Sequence, residues 1–329
     1  MDSLQPVNEM QSPELEPPSV ALQDAEPRRS LVRLGSIVYF GLVVVAFLPI
    51  LVAWAAHAAA SQLHSYIFLI PFVSAYLLYL QRDQLPRRHS SSPGWAALAG
   101  IVGLTALGIA YRAKTLGALS QNDYLGLMIL SFLCLLLAGG FLFLGGKWIR
   151  AAAFPIAFLY FMIPMPDGMV EILENASQLA SAEAANLLFI VSGTPFLRSG
   201  TYFQLPNIVI QVAQECSGIR SSWILLLTSL IASHLFLKTP WRRVALVGFI
   251  IPLGILRNGT RVVVIGLLCV HAGPNMIHSA IHRRGGPIFF VLSLIPLFFL
   301  LWWLRRGDRP AVGTMAALSS GGIGKGEMR

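Results

Sequence analysis

The chain has 329 residues, of which 55% are hydrophobic and 12% are charged, and its mean hydropathy is +0.67. This composition is typical of a polytopic membrane protein and excludes an ordinary soluble enzyme. The formal net charge of +9 does not indicate nucleic-acid binding, because the basic residues lie mainly in short connectors between apolar runs, where membrane topology explains them.

Both ends of the chain differ in composition from the middle. Most of residues 1–33 is rich in Pro, Glu, Gln and Asp, and residues 307–329 are rich in Gly and Ser. Segments of this kind bury too little apolar surface to fold, and the N-terminal one lacks the features of a cleavable signal peptide. We therefore expect two disordered tails around a membrane domain of residues 34–306.

The membrane domain contains apolar runs that are long enough, or nearly so, to cross a bilayer. They lie near residues 34–58, 63–80, 94–111, 124–145, 150–165, 221–237, 243–270 and 287–304. The fifth run is short and is interrupted by prolines. The pattern predicts an all-α polytopic membrane protein with about eight transmembrane helices.

The distribution of basic residues predicts how these helices are oriented. With the N-terminus in the cytoplasm, 16 of the 24 lysines and arginines fall in inner connectors and tails, and six fall in outer connectors. The positive-inside rule therefore favours an arrangement in which both tails are cytoplasmic. On this topology the long connector 166–220 and the connector before the last run lie outside.

The long outer connector has two predicted parts. Met169 to Val191 mixes large apolar residues with glutamates and a glutamine, which is typical of an amphipathic helix at the interface. After a break rich in Gly and Pro, residues 201–204 and 208–212 flank a Pro-Asn turn and predict a small β-hairpin. The hairpin leads directly to Cys216.

Cys216 is the only one of three cysteines that lies outside an apolar run, whereas Cys134 and Cys269 are predicted to be buried and inert. It stands just before the sixth run, where the partial positive charge of a helix N-terminus favours a thiolate. We therefore interpret Cys216 as a nucleophile. Its neighbours are candidates for supporting roles, namely Glu215, Ser217, Gly218 and Arg220.

Two arginines interrupt the seventh run. Arg257 and Arg261 are four positions apart, on one helical face, and each costs roughly 3 kcal/mol to insert at the centre of a membrane. They could be structural, bonded to carbonyls or to Glu215, or they could form an anion or oxyanion site. We favour the functional interpretation and include Asn258 as a possible supporting residue.

Three histidines follow before the last run, and one of them is a candidate general base. His282 precedes a Gly-rich segment and the returning helix, which places it near the outer surface and level with Cys216. His271 and His278 can be explained as connector residues. Three histidines at this spacing, with no second cysteine nearby, match no common zinc pattern, so we predict no metal and no cofactor.

These segments resemble the exosortases, a family of membrane cysteine transpeptidases related to the archaeosortases. The resemblance covers about residues 60–290. It rests on the segments Glu215–Ile219 after the hairpin, Asn258–Arg261 in the next run, and His282 followed by Gly286 and Phe289, with Leu63–Pro71 and Leu188–Gly200 as weaker landmarks. The resemblance implies a catalytic set of Cys216, Arg261 and His282, and it assigns no role to Arg257.

The resemblance also implies the substrate and the location. The substrates would be exported proteins with a C-terminal sorting signal, made of a short Pro-containing motif, a transmembrane helix and a basic cluster. Cleavage through a thioester would end in hydrolysis or in transfer to an acceptor amine or glycan-linked lipid. The enzyme would lie in the lipid bilayer of the bacterial cytoplasmic (inner) membrane, with its active site on the extracytoplasmic face.

A multi-pass transporter or channel is the competing interpretation. Arg257 and Arg261 would then bind an anionic solute, and Pro252 and Gly254 would mark a discontinuous helix. No inverted repeat is visible, however, and a hairpin that ends at a lone cysteine would be unexplained. Other intramembrane proteases fit less well, because the chain lacks a Gly-x-Ser-x-Gly segment with a partnering histidine, a His-Glu-x-x-His motif and paired aspartates within the runs.

Overall fold

The computed structural model describes residues 25–61, 63–86, 90–206, 208–212, 219–273 and 280–307, and of residues 25–32 and 280–286 it describes the backbone only. Helices dominate this part of the chain. In order they are α1 Ala25–Ala60, α2 Leu69–Leu80, α3 Pro93–Thr115, α4 Gln121–Gly139, α5 Gly146–Ala151, α6 Ala153–Leu159, α7 Asp167–Val191, α8 Ile219–Phe236, α9 Pro240–Gly248, α10 Ile250–Ala272 and α11 Ala280–Arg306.

Six of the helical segments are long and apolar enough to cross a membrane. They are Arg33–Ala60, Pro93–Thr115, Gln121–Leu144, Ile219–Phe236, Pro240–Ala272 and Pro287–Arg306. The pair Ala153–Met162 and Asp167–Val191, bent by 91°, is a seventh candidate, and Ser65–Leu80 is a shorter apolar helix. The predicted all-α polytopic architecture is therefore confirmed, and two of the predicted runs form shorter helices than the rest.

Local sequence explains where several helices begin. Pro93 stands in the first turn of α3, where its missing N–H would have no partner in any case. At the start of α4 the side chain of Ser120 accepts a hydrogen bond from the backbone N–H of Asp123 at 3.1 Å, and the Asp123 carboxylate lies in the first turn, where it is stabilised by the helix dipole. These polar caps stand at the ends of the apolar runs.

One half of the bundle is held together by aromatic packing between α1 and its neighbours. Phe47 of α1 and Phe132 of α4 have ring centroids 5.5 Å apart, and the Trp54 indole donates to the carbonyl of Met162 at 3.0 Å. The opposite face of α1 is open, with Leu42 68% exposed. Such apolar, exposed faces are expected where lipid replaces water as the neighbour.

Polar contacts at one end of the bundle join residues that are far apart in the sequence. His57 near the end of α1 bonds to Asn122 at the start of α4 at 3.1 Å. Asn122 in turn donates to Asp167 at the start of α7 at 2.8 Å. Arg220 at the start of α8 donates to Ser65 at 3.3 Å. This end therefore gathers the residues that the predicted topology places outside.

The opposite end gathers a second polar set. Gln81 after α2 bonds to His234 at the end of α8 at 2.7 Å. Arg242 at the start of α9 donates to the carbonyl of Leu304 near the end of α11 at 3.2 Å, and Ser90 pairs with Gly145. The chain thus alternates between the two ends in the order that the eight runs predict.

A three-stranded antiparallel sheet follows α7 and contains β1 Leu197–Ser199, β2 Tyr202–Leu205 and β3 Ile208–Gln211. The predicted hairpin is β2–β3, with Phe203 opposite Ile210, and β1 is an additional strand. Phe203 is fully buried against α7 and α10, in a cluster with Phe189 and Val262. The sheet, α7 and the second half of α10 thus form one packed unit.

This unit depends on a close approach of α7 and α10. A Cβ atom added at Gly259 would lie 2.7 Å from the Cβ of Ala184 and 3.1 Å from the backbone N of Ala185. Neither atom belongs to a flexible side-chain end, so the two helices would have to separate. Glycine at position 259 is therefore required by packing.

We expect Gly259→Ala to destabilise the protein by about 1–3 kcal/mol, because overpacking pushes α7 away from α10. Thermal unfolding of the purified protein in detergent micelles measures the effect. Gly108→Ala in α3 is the matched control, since nothing lies within 4 Å of its added Cβ and alanine is the better helix former. Equal melting temperatures for the two variants would contradict the packing argument.

Candidate active site

The predicted site residues divide into three groups by what the structure describes. Cys216 and its neighbours Glu215, Ser217 and Gly218 lie outside the described residues. His282 lies in the first turn of α11, where the backbone alone is described. The remaining candidates, Arg220, Arg257, Asn258 and Arg261, are described with their side chains.

The chain on both sides of Cys216 is anchored. Val212, four positions before it, is fully buried, donates its N–H to the carbonyl of Thr201 at 3.0 Å and accepts a hydrogen bond from the side chain of Gln178 on α7. Ile219, three positions after it, is the first residue of α8. Three residues of chain span at most about 11 Å, so covalent connectivity alone ties Cys216 to the start of α8.

Arg257 contacts that same helix terminus. Its guanidinium donates to the hydroxyl of Ser222, in the first turn of α8, at 3.0 Å. One turn earlier in α10, a Cβ at Gly254 would lie 2.9 Å from the Ser222 oxygen, so the two helices touch there. Arg257 itself is 8% exposed. A buried guanidinium is thus held beside the start of α8.

This contact corrects the depth that hydropathy assigned to Arg257. The segment Pro240–Ala272 contains 33 residues, which at 1.5 Å per residue extend about 50 Å, whereas the hydrocarbon core is about 30 Å thick. Since Arg257 is level with the first turn of α8, it lies near the end of the bundle and not at its centre. The apolar residues beyond it, such as Val262 and Val263, are buried against α7 and the sheet.

Arg261 follows Arg257 by one turn on the same face of α10. It is partly buried, and its Nε atom is buried. The structure therefore brings Arg257 and Arg261 together, as the spacing predicted. Both arginines lie on the face of α10 whose Arg257 side chain bonds to Ser222 of α8.

Asn258 has a packing role in the structure. Its side-chain amide donates to the hydroxyl of Ser181 on α7 at 2.9 Å, and the two residues are 2% and 0% exposed. The bond fastens α10 to α7 beside Gly259. Asn258 thus supports the arginines by fixing the helix that carries them.

Arg220 is in the first turn of α8, and its side chain contacts a different neighbour from that of Ser222. It donates to Ser65, in the connector between α1 and α2, at 3.3 Å, and the ring of Tyr66 lies 6.4 Å from that of Trp223. Because Arg220 and Ser222 are two positions apart, their side chains point to opposite sides of α8. Guanidinium groups therefore flank this helix N-terminus, and together with the helix dipole they favour a negative charge there.

A family comparison decides what kind of protein this is. The family model of the transmembrane exosortases matches residues 53–299, which is most of the chain and includes every candidate discussed above. The chain belongs to the transmembrane exosortase family. Comparisons with curated proteins and with solved structures returned no match.

Family membership confirms the resemblance that the motifs indicated and identifies a multi-pass membrane protein. Exosortases are membrane transpeptidases that act on sorting signals. The matched range, residues 53–299, includes Val212 and Ile219 on either side of Cys216, the arginine pair on α10 and the start of α11.

A cavity of about 850 Å³ lies away from these residues. Ser92, Lys147 and Arg150 are among the residues that line it, and they belong to the end of the bundle where Ser90 pairs with Gly145. Arg220 and Arg257 lie at the other end, at the first turn of α8. This cavity is therefore not formed by the candidate site residues that the structure describes.

The sequence interpretation missed a polar network beside Arg220. Hydrogen bonds join His57, Asn122 and Asp167, and the ring of His64 packs against that of His57. The available signal was weak, since each is a single polar residue at the edge of an apolar run. Among the residues that the structure describes, no group of three or more His, Cys, Asp or Glu could hold a metal ion.

A double-mutant cycle tests the bond between Asn258 and Ser181. We expect Asn258→Ala to lower stability by about 1–3 kcal/mol, because the buried Ser181 hydroxyl loses its partner. Ser181→Ala together with Asn258→Ala should cost less than the sum of the two single changes. Additive changes in the free energy of unfolding in micelles would show that the two side chains do not interact.

Proposed function

We propose that this exosortase-family protein is a membrane-embedded cysteine transpeptidase that cleaves the C-terminal sorting signal of exported proteins through a thioester on Cys216. One observation carries the proposal. Arg257 donates to Ser222, so the arginine-bearing face of α10 meets the helix that Cys216 immediately precedes. A nucleophile, a cationic face and a helix N-terminus then converge on one end of the bundle, which is what acyl transfer requires.

In the proposed first step the sulfur of Cys216 attacks the carbonyl carbon of the scissile peptide bond. The thiol proton passes to His282, and the carbonyl oxygen becomes an oxyanion. Arg261 donates hydrogen bonds to that oxyanion, in a water-poor site where such bonds are strong. The carbon–nitrogen bond then breaks, His282 returns the proton to the leaving amine, and the acyl group remains on sulfur as a thioester.

The second step releases the acyl group. An acceptor amine, free or attached to a glycan-linked lipid, attacks the thioester and forms a new amide, while the sulfur leaves and recovers a proton. Water in place of the amine would form a carboxylic acid. The glutamate before the nucleophile, Glu215, and the adjacent Ser217 and Gly218 would shape the turn that presents the sulfur.

The direction of α11 supports the role of His282. Leu304, near the end of α11, bonds to Arg242 at the end of the bundle where α8 finishes. The start of α11 therefore lies at the end where α8 begins, and α11 packs against both α8 and α10. His282, two positions after the first residue of α11, is thus on the same side of the membrane as the arginine pair.

We also propose that this end of the bundle is extracytoplasmic and that the protein lies in the bacterial cytoplasmic membrane. The excess of lysine and arginine in the connectors of the other end supports this orientation. A substrate helix with its basic cluster inside would then present the Pro-containing motif at the outer end, beside Cys216. The tails, residues 1–33 and 307–329, would both be cytoplasmic.

The structure weakens the transporter alternative. The seventh run is interrupted at Phe249, between α9 and α10, but Pro240–Ala272 remains one candidate span. Pro252 lies in the first turn of α10 and Gly254 follows within that helix, so neither residue marks the unwound centre of a discontinuous transporter helix. The buried arginine that suggested a solute site is level with the start of α8 and bonds to Ser222.

Cleavage of a co-expressed reporter tests the catalytic set. The reporter carries the sorting signal of an exported protein encoded in the same genome. We expect Cys216→Ala and His282→Ala to abolish its cleavage, and Arg261→Lys to reduce it roughly 100-fold or more, because a point charge does not replace the planar guanidinium. Cys134→Ala and Arg112→Lys are controls that should cleave normally. Normal processing by Cys216→Ala would refute the proposal.

Labelling in intact cells tests the orientation. In a Cys216→Ser background, Ala118→Cys between α3 and α4 and Lys147→Cys in α5 each add one exposed thiol at opposite ends of the bundle. We expect a membrane-impermeant maleimide to label position 118 in intact cells and position 147 only after lysis. The reverse pattern would place the proposed site in the cytoplasm.

A further inference from the structure

His64 lies in the connector between α1 and α2 and is 5% exposed. Its backbone N–H donates to the hydroxyl oxygen of Ser61 at 3.3 Å, and the same oxygen lies 3.1 Å from the Nδ1 atom of its ring. Ser61 is itself fixed, because its N–H donates to the carbonyl of His57 at 2.9 Å. The imidazole ring is therefore held at a defined position.

These bonds favour the tautomer of His64 that carries its proton on Nε2. The Ser61 oxygen already accepts from the His64 backbone, so its own hydrogen is available to donate to Nδ1. Nδ1 is then an acceptor, and the imidazole proton is on Nε2. In this arrangement every polar side-chain atom of Ser61 and His64 has a hydrogen-bond partner except one.

The exception is the Nε2–H group of His64, which is buried and has no hydrogen-bond partner among the described residues. A buried donor without an acceptor destabilises the folded protein, because it has lost its hydrogen bond to water. Buried polar groups are nearly always satisfied in folded proteins, and an exception calls for an explanation such as a ligand. The described part of the chain thus supplies the donor without an acceptor, and a bound molecule is one source of that acceptor.

The groups around His64 keep the ring neutral. Burial, together with the ring of His57 at 5.7 Å between centroids, lowers the pKa of His64 below its ordinary value, and Asp167 opposes this with a smaller effect. His57 is oriented by Asn122, which also binds Asp167. A neutral imidazole at pH 7 binds a carbonyl oxygen through Nε2–H as an amide N–H would.

His64 stands beside the proposed site. The next residue, Ser65, accepts a hydrogen bond from Arg220 in the first turn of α8, and Tyr66 packs near Trp223 one turn along. The connector that carries His64 is thus fastened to the helix that Cys216 precedes, on the side opposite to the contact of Arg257 with Ser222.

We propose that His64 is a substrate-binding residue whose Nε2–H donates a hydrogen bond to a backbone carbonyl oxygen of the sorting-signal peptide. This inference rests on the function proposed above. Carbonyl acceptors suit the substrate, because a proline in the motif has no N–H to offer but retains its carbonyl. His64 contributes to binding the peptide, and Arg261 to stabilising the oxyanion.

Two amide substitutions separate this role from simple packing. The side-chain nitrogen of glutamine falls near the position of Nε2, whereas that of asparagine reaches only as far as Nδ1. We expect His64→Ala and His64→Asn to raise KM about tenfold with kcat changed less than threefold, since the bond is made in the bound ground state. His64→Gln should restore KM to within threefold of the parent. His271→Gln, at an exposed position at the end of α10, is the control and should leave both constants unchanged.

Binding measured without turnover keeps this inference distinct from the proposed function. In a Cys216→Ser background, fluorescence anisotropy of a labelled peptide with the reporter's motif and transmembrane helix should show about tenfold weaker binding for His64→Ala and His64→Asn, but not for His64→Gln. Equal affinities for all variants would overturn the inference, even if Cys216 proves essential. An equal loss of peptide affinity in all three variants, together with lowered melting temperatures, would also overturn the inference, since it would show that His64 only stabilises the fold by packing. Processing by Cys216→Ala would refute the transpeptidase mechanism alone.

Discussion

The contact between Arg257 and Ser222 sets the level of α10 relative to α8, and the site depends on that level. A guanidinium that is 8% exposed is costly to bury, so it must be bonded and cannot slide along its neighbour. Gly254 permits the approach, since a Cβ there would meet the Ser222 hydroxyl at 2.9 Å. With this register, the rest of α10 extends past the start of α8, and Arg261 follows one turn further along.

The part of α10 that extends beyond Arg257 packs against α7 and the three-stranded sheet. Phe189, Phe203 and Val262 share one buried cluster, while the bond from Asn258 to Ser181 fixes the rotation of α10. The same unit holds Val212 at the end of the sheet. The structure that supports the arginines therefore also anchors Val212, the last described residue before the proposed nucleophile Cys216, and a site held by packed elements is positioned more precisely than one on a free loop.

A third group of contacts connects this unit to the first half of the chain. Arg220 bonds to Ser65, and behind Ser65 the network of His57, Asn122 and Asp167 joins the ends of α1, α4 and α7. In a membrane, polar groups of this kind lie at helix ends or face the protein interior, because lipid offers them no partner. The start of α8 is thus enclosed by connectors from both halves of the chain, and the matched family range, residues 53–299, includes all of them.

The sequence by itself determined the membrane class, the alternating order of the helices, the hairpin of β2 and β3 and the four-residue spacing of Arg257 and Arg261, because these follow from local hydropathy, turn residues and helical periodicity. Hydropathy could not determine the depth of α10, since apolar residues buried against protein, such as Val263, are indistinguishable in sequence from those that face lipid. Nor could it find His64, because the connector that carries it is joined to α8 by the bond between Ser65 and Arg220, which are 155 positions apart in the chain. Only the tertiary structure decided these points, because they depend on which helix ends meet.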